Sequence, residues 1–262
     1  MSNIGKAFEK GKAFIAFITC GDPDIETTKR CVLSAAENGA DLIELGIPFS
    51  DPTAEGPVIQ EANMRALSNG ITTDMIFEMV RDLRKVTDIP MVFMTYANVV
   101  FSYGTERFMS ACRDTRMDGL ILPDVPFEEK DDFAPEAMEY GIDLISLIAP
   151  TSEGRTAMIA REAKGFIYLV SSLGVTGERK DIDTDLERII KVIKENTELP
   201  VAVGFGISVP EQAGKMAAIS DGVIVGSAIV RIIGEKGKDS PEYVGEYIRR
   251  MKAAVLSSDT AL

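Results

Sequence analysis

The chain has 262 residues, 45% of them apolar, and its 28 basic against 41 acidic side chains leave a formal charge of −13. That balance argues against nucleic acid or an anionic membrane surface as partner, because both are bound through a basic footprint. With no histidine present, proton transfer falls to carboxylates, tyrosine, lysine or held water, and Cys20, Cys31 and Cys112 lack the spacing of a disulfide framework or a zinc site.

A helix-like segment from Ile4 to Glu9 precedes the first predicted strand, Phe14 to Thr19. A helical period over Ile25 to Glu37 leads to the second strand, Leu42 to Gly46, and then to an irregular Pro/Gly-rich stretch from Pro48 to Pro57. Helix-period residues at Asp74 to Lys85, Glu106 to Arg113, Asp131 to Tyr140 and Arg155 to Ala163 alternate with strands at Met91 to Thr95, Gly119 to Leu122, Asp143 to Ile148 and Phe166 to Val170. A second irregular stretch, Ser171 to Thr184, precedes a helix at Leu186 to Glu195, a strand at Val201 to Val203, a helix at Glu211 to Ala218 and an eighth strand at Val223 to Val225. A short helical piece, Ala228 to Ile232, and a helix at Tyr243 to Val255 end the pattern.

Strands apolar on both faces that alternate with helices imply a parallel sheet, and eight such units close into an α/β (β/α)8 TIM barrel. An open doubly wound sheet is the alternative. No composition break divides the chain, so residues 1–262 read as a single barrel domain with an N-terminal helical cap. No apolar run approaches the roughly 18 residues of a membrane span, and the first residues lack a secretory apolar segment, so a cytoplasmic protein is expected.

The run Glu44-Leu45-Gly46-Ile47-Pro48-Phe49-Ser50-Asp51-Pro52-Thr53-Ala54-Glu55-Gly56-Pro57 concentrates the chemistry. Side chains alternate along a strand, so if Leu45 packs against the helices, Glu44 points into the barrel mouth, where loss of water raises its pKa toward that of a general acid. A purely structural, hydrogen-bonded carboxylate is the competing reading. Glu55, on the loop that follows, is a candidate second acid/base group or a solvated loop acid, and Asp51 in Ser-Asp-Pro reads first as a turn-shaping residue. Near the C-terminus, Gly204-Phe205-Gly206 and Gly226-Ser227 follow the last two strands, where barrels commonly hold phosphate on backbone N–H groups and a helix N-terminus. Ordinary tight turns would look the same. No lysine ends a predicted strand, which argues against Schiff-base chemistry, and there is no metal-ligand set.

These residues resemble the tryptophan synthase α chain family. The resemblance rests on the long run above and on Phe17-Ile18-Thr19-Cys20-Gly21-Asp22-Pro23, Tyr96-Ala97-Asn98, Leu122-Pro123-Asp124-Val125-Pro126, Tyr168-Leu169-Val170-Ser171, Gly174-Val175-Thr176-Gly177 and the two glycine turns, and it covers essentially the whole chain. It implies retro-aldol cleavage of indole-3-glycerol phosphate to indole and glyceraldehyde 3-phosphate. Glu44 is then the general acid/base and Glu55 the carboxylate facing the indole N–H. Phe17, Tyr96 and Ile148 line the indole slot, Tyr168 buttresses Glu44 by hydrogen bonding, and Gly177, Phe205, Gly206, Gly226 and Ser227 bind phosphate. Asp124 orients loops.

The resemblance also implies no cofactor in this chain and a pyridoxal-phosphate-bearing β chain as partner in an α2β2 heterotetramer, faced by Pro48, Asp51 and Asn98. Glu55 stands where the family usually carries Asp, and the extra methylene moves the carboxylate by roughly 1.5 Å. A weakly catalytic activator of the β chain, a free-standing lyase and another phosphate-binding barrel such as a sugar-phosphate isomerase are the alternatives.

Overall fold

The structure, a computed structural model, describes residues 2–150, 152–170, 182–204 and 206–258, with the side chains of 182–185 excepted. Among them, nine parallel strands form one sheet: β1 (Ala13–Thr19), β2 (Leu42–Gly46), β3 (Met91–Met94), β4 (Gly119–Ile121), β5 (Asp143–Leu144), β6 (Ser146–Ile148), β7 (Ile167–Val170), β8 (Val201–Gly204) and β9 (Gly222–Val225). Their spatial order is β5-β4-β3-β2-β1-β9-β8-β7-β6. The two ends of that order are pieces of the single predicted fifth strand, parted at Ile145. Its lower half pairs with β4 and its upper half with β7, and Ile145 N–H still donates to Leu120 C=O at 2.9 Å. A strand tilted in a staggered barrel can change neighbours along its length, and this change closes the barrel.

The helices are α1 (Ile25–Glu37), α2 (Pro57–Ser68), α3 (Thr73–Leu83), α4 (Ala97–Tyr103), α5 (Thr105–Asp114), α6 (Ala134–Glu139), α7 (Glu153–Glu162), α8 (Ile182–Lys194), α9 (Pro210–Ile219), α10 (Ser227–Lys236) and α11 (Ser240–Ser257). Local chemistry starts several of them. Asp24 accepts the Thr27 N–H at 2.7 Å, Thr72 that of Met75 at 3.3 Å, and Pro57 opens α2 at a position that needs no N–H donor. Two helices, α2 and α4, lie outside the predicted helical segments: α2 exposes Met64 and Leu67, which blurs its apolar stripe, and α4 is only seven residues long. Conversely, Asp131 to Tyr140 is helical only as the short α6, a 3-10 segment (Phe127–Asp132) preceding it, while α10 is about twice the length of the predicted Ala228 to Ile232.

Two apolar layers follow from strand alternation. Ile15, Leu42, Val92, Ile121, Ile145, Phe166, Ala202 and Ile224 fill the barrel interior, joined from below by Ile4 and Ala7 of the N-terminal 3-10 helix (Ile4–Phe8), which acts as the expected plug. Phe14, Ala16, Ile18, Ile43, Leu45 and Phe93 pack outward among the helices.

At the barrel bottom Asp118, almost fully buried, accepts from Asn3 N–H at 2.8 Å and Met91 N–H at 2.9 Å and pairs with the buried Arg84 at 3.0 Å. Removing one partner of a buried pair strands the other, so Asp118→Ala is expected to destabilise the fold by about 3–5 kcal/mol. Chemical denaturation measures this.

Candidate active site

Strand β2 delivers Glu44 to the interior, in register with Phe17 of β1 and Val92 of β3, while Ile43 and Leu45 face the helices. Glu44 is 1% exposed, and no group among the described residues hydrogen-bonds its Oε2. Burial pushes its pKa up to about 8, with the nearby Glu55 charge adding to the rise. An acid in such a throat is held protonated at neutral pH and aimed into space.

Loop 47–56 brings Glu55 within electrostatic reach of Glu44, eleven residues further along the chain. Its carboxylate is held by Tyr96, whose hydroxyl donates to Glu55 Oε2 at 2.7 Å and accepts from the backbone N–H groups of Thr53 at 3.1 Å and Ala54 at 2.9 Å. One phenol thus clamps both the acid and the backbone that presents it, and its ring stacks on Phe49 with centroids 5.1 Å apart. The sequence points to Tyr96 only as a wall of the slot, and its clamp on Glu55 has no linear signature, since it pairs residues 41 positions apart. Burial raises the Glu55 pKa, the Tyr96 hydrogen bond lowers it in part, and the charge of Asp124 raises it again.

Asp124 follows β4 and is exposed, and both its oxygens accept the Ala97 N–H, at 3.1 and 3.2 Å. It thereby bonds the first N–H of α4, one residue after Tyr96. Asp51 is exposed and accepts from the neighbouring Ser50 hydroxyl at 2.5 Å, a turn-shaping contact. Pro48 is buried and lines, with Phe49, Leu67, Asn98, Val99 and Tyr103, a cleft of about 370 Å3, whereas Asn98 is exposed.

Phe17 lies against Gly46, where an added Cβ would stand 2.5 Å from its ring, and its own Cβ lies 3.5 Å from the position of a Cβ on Gly226. It packs with Ala62 and Val230, and with Val58, Ile59 and Met94, as an apolar wall between Glu44 and the start of α10. There Gly226 is the N-cap of a ten-residue helix with no side-chain cap among the described residues, so its first N–H groups, beginning at the exposed Ser227, suit an anion. Gly206, exposed with φ +77°, adopts a backbone conformation that favours glycine. Phe205 and Gly177 lie outside the described residues.

Two expectations are corrected. Tyr168 is buried near enough to Glu44 for that charge to raise its pKa, but it makes no hydrogen bond to Glu44. Its hydroxyl sits over Gly204 instead, 2.7 Å from where a Cβ would be. Ile148 packs in the outer layer with Ile159, Leu169 and Val203, and the residue of β6 against the barrel interior is Leu147, because the pairing of Leu147 with Tyr168 sets the pleat.

This geometry joins a neutral acid, an ionisable second carboxylate, an apolar wall and an uncapped helix end. Residues 5–255 match the family model described as tryptophan synthase alpha chain. The chain belongs to that family. It is 50% identical over 251 residues to the tryptophan synthase alpha chain of Thermoanaerobacter sp. (strain X514), covering 94% of this chain and 95% of the relative, and 47% identical over 255 residues to that of Lacticaseibacillus casei, covering 97% and 96%. Among solved structures it resembles tryptophan synthase subunit alpha of Legionella pneumophila (TM-score 0.89, 37% identity, 98% and 99% of the two chains). It also resembles a chain from the tryptophan synthase a2b2 complex of Pyrococcus furiosus (TM-score 0.85, 37% identity, 93% and 99%). Function in the family is that of the α chain of tryptophan synthase, a lyase.

Among the described residues no helix is long and apolar enough to cross a membrane, and no group of three or more His, Cys, Asp or Glu could hold a metal ion.

Two consequences can be measured. Tyr96→Phe removes a hydrogen bond that lowers the Glu55 pKa, so the Glu55 titration, followed by carboxyl 13C NMR, should move to higher pH. Glu44 ionises from about 4.5 when unfolded but only near 8 when folded, so its burial destabilises the fold progressively as pH rises through that window. Glu44→Gln is therefore expected to gain stability over the parent at pH 9 relative to pH 5, by on the order of a few kcal/mol in denaturation midpoints.

Proposed function

We propose that the chain cleaves indole-3-glycerol phosphate by a retro-aldol step into indole and glyceraldehyde 3-phosphate, as the α subunit of a cytoplasmic tryptophan synthase. The observation that carries this reading is the buried carboxyl of Glu44, neutral at pH 7 and unbonded at Oε2, across the Phe17 wall from the free end of α10. The uncapped turn at Gly226 and Ser227, with Gly206 and, outside the described residues, Phe205 and Gly177, receives the phosphate; this anchors the substrate with its ring over Phe17.

Glu44 then gives its proton to the indole carbon that bears the side chain. The positive charge that develops on the ring nitrogen is met by the Glu55 carboxylate, which Tyr96 holds in place. The side-chain hydroxyl next to the ring loses its proton to the Glu44 carboxylate just formed, the C–C bond breaks as the new carbonyl forms, and its electron pair restores the neutral ring. One proton enters and one leaves, so Glu44 is regenerated. General acid–base assistance of this kind contributes about 10²–10⁴-fold.

The chain needs no cofactor of its own in this scheme, and its partner is a pyridoxal-phosphate-bearing β chain in an α2β2 assembly. Supporting a partner on this face, Leu67 leaves a large apolar side chain exposed in the cleft that holds Pro48 and Asn98, and Met75 and Phe101, each next in sequence to a cleft residue (Ile76 and Ser102), are also exposed. The resemblance to a chain of the Pyrococcus furiosus complex supports the same arrangement. Co-purification with a pyridoxal-phosphate protein tests it.

Indole release from indole-3-glycerol phosphate, with and without a β chain, tests the reaction. Glu44→Gln is expected to abolish turnover while leaving ligand affinity within about 3-fold, since Gln keeps the shape and loses only the proton. Retained turnover would refute the assignment of Glu44. In the parent enzyme the rate should fall as pH rises through about 8, where the acid form of Glu44 is lost.

A further inference from the structure

Asp22, in the turn after β1, is 1% exposed, and both its oxygens are taken by one side chain. Arg65 Nε donates to Oδ1 at 2.9 Å and Arg65 Nη2 to Oδ2 at 2.8 Å. Arg65 lies in the second half of α2, and one turn later Asn69 Nδ2 donates to the Pro23 carbonyl at 2.8 Å. The same guanidinium is pressed against α10, where a Cβ added at Gly234 would come within 2.8 Å of Nη2. At the other end of α2, Gln60 Nε2 donates to the Glu55 carbonyl at 2.8 Å. Helix α2 is therefore fixed at one end to the β1 turn and α10, and grips the backbone of Glu55 at the other.

We infer that Arg65 is a positioning residue for the reaction: its forked bond to Asp22, seated on Gly234, sets the lie of α2 and through Gln60 the stance of Glu55 opposite Glu44. This rests on the reading given under Proposed function. A lysine would keep the charge but not the planar two-point fork, so the geometry and the charge can be separated. Glu44 is faced by Glu55 and Tyr168, and Glu55 by Glu44, Tyr96 and Asp124. A retreat of Glu55 takes away the charge that helps raise Glu44, so Glu44 would ionise at lower pH.

The test is steady-state indole release by Arg65→Lys and Gly234→Ala in the complex with a β chain, beside thermal unfolding of each. Arg65→Lys is expected to lower kcat by about 10-fold or more, with KM within about 2-fold, because displacement by about 1 Å at a reacting group costs up to about 100-fold. The basic limb of its pH profile should move below that of the parent. Gly234→Ala should reproduce both effects with Arg65 in place, and in a Glu55→Gln background Arg65→Lys should cost no further kcat.

A loss of rate that only tracks the unfolded fraction, an unmoved basic limb, or full additivity with Glu55→Gln would each overturn the inference. Should the parent release no indole, the Proposed function fails separately. The inference is then decided by carboxyl 13C titration of the ligand-free chain, where Arg65→Lys must still lower the Glu44 midpoint.

Discussion

An ionisable carboxyl group in an apolar throat is the constraint on which the rest of this structure depends. Moving an unpaired carboxylate out of water is so unfavourable that the group stays protonated instead, and Glu44, 1% exposed with Oε2 unbonded, does so up to about pH 8. A partner that satisfied it would relieve the cost and return the group to an ordinary carboxylate. The pleat that turns Tyr168 inward leaves its hydroxyl over Gly204, so Glu44 keeps the unbonded oxygen. Instability at one position is thereby the source of a proton donor in a chain that has no histidine.

The second carboxylate is treated oppositely. Glu55 lies on a loop, and it is kept in place by a single phenol that holds its Oε2 and two backbone N–H groups at once. That phenol stands directly before α4, whose first N–H is bonded by Asp124. Because the backbone of Thr53 and Ala54 is tied to the same hydroxyl that holds the Glu55 carboxylate, side chain and main chain are placed together. The bond from the phenol to the carboxylate is charge-assisted and so about twice as strong as a neutral one, and the stacking of Phe49 on the Tyr96 ring adds an apolar hold on the same loop.

Between the two acids and the anion-ready end of α10 lies a thin apolar wall built from three elements: Phe17 of β1, Ala62 of α2 and Val230 of α10. Close approach over Gly46 lets the Phe17 ring occupy the space beside Glu44, since any larger residue there would collide with it. The turn after β1, α2 and α10 meet again at Asp22, Arg65 and Gly234, where Arg65 pairs with Asp22 and packs on Gly234. The wall and the ion pair therefore brace one another, and both act on the helix that follows Glu55.

Much of this was legible in the residues themselves. Strand and helix periods determined the parallel α/β barrel, the plug at Ile4 and the inward aim of Glu44, because alternation along a strand leaves only two faces and Leu45 needs one of them. Where local periodicity is weak or the decisive partner is remote, the sequence was mute. It did not separate α2 and α4 from their loops, nor divide the fifth strand at Ile145, nor turn Ile148 outward, since the pleat there is set by pairing with β7. The clamp of Tyr96 on Glu55 and the seat of Arg65 on Asp22 join residues 41 and 43 positions apart. Such bonds have no linear signature. They exist only once the sheet has closed and brought the loops of its upper rim within hydrogen-bonding distance, so tertiary structure alone decided which side chains stand around the acid that the sequence had already pointed inward.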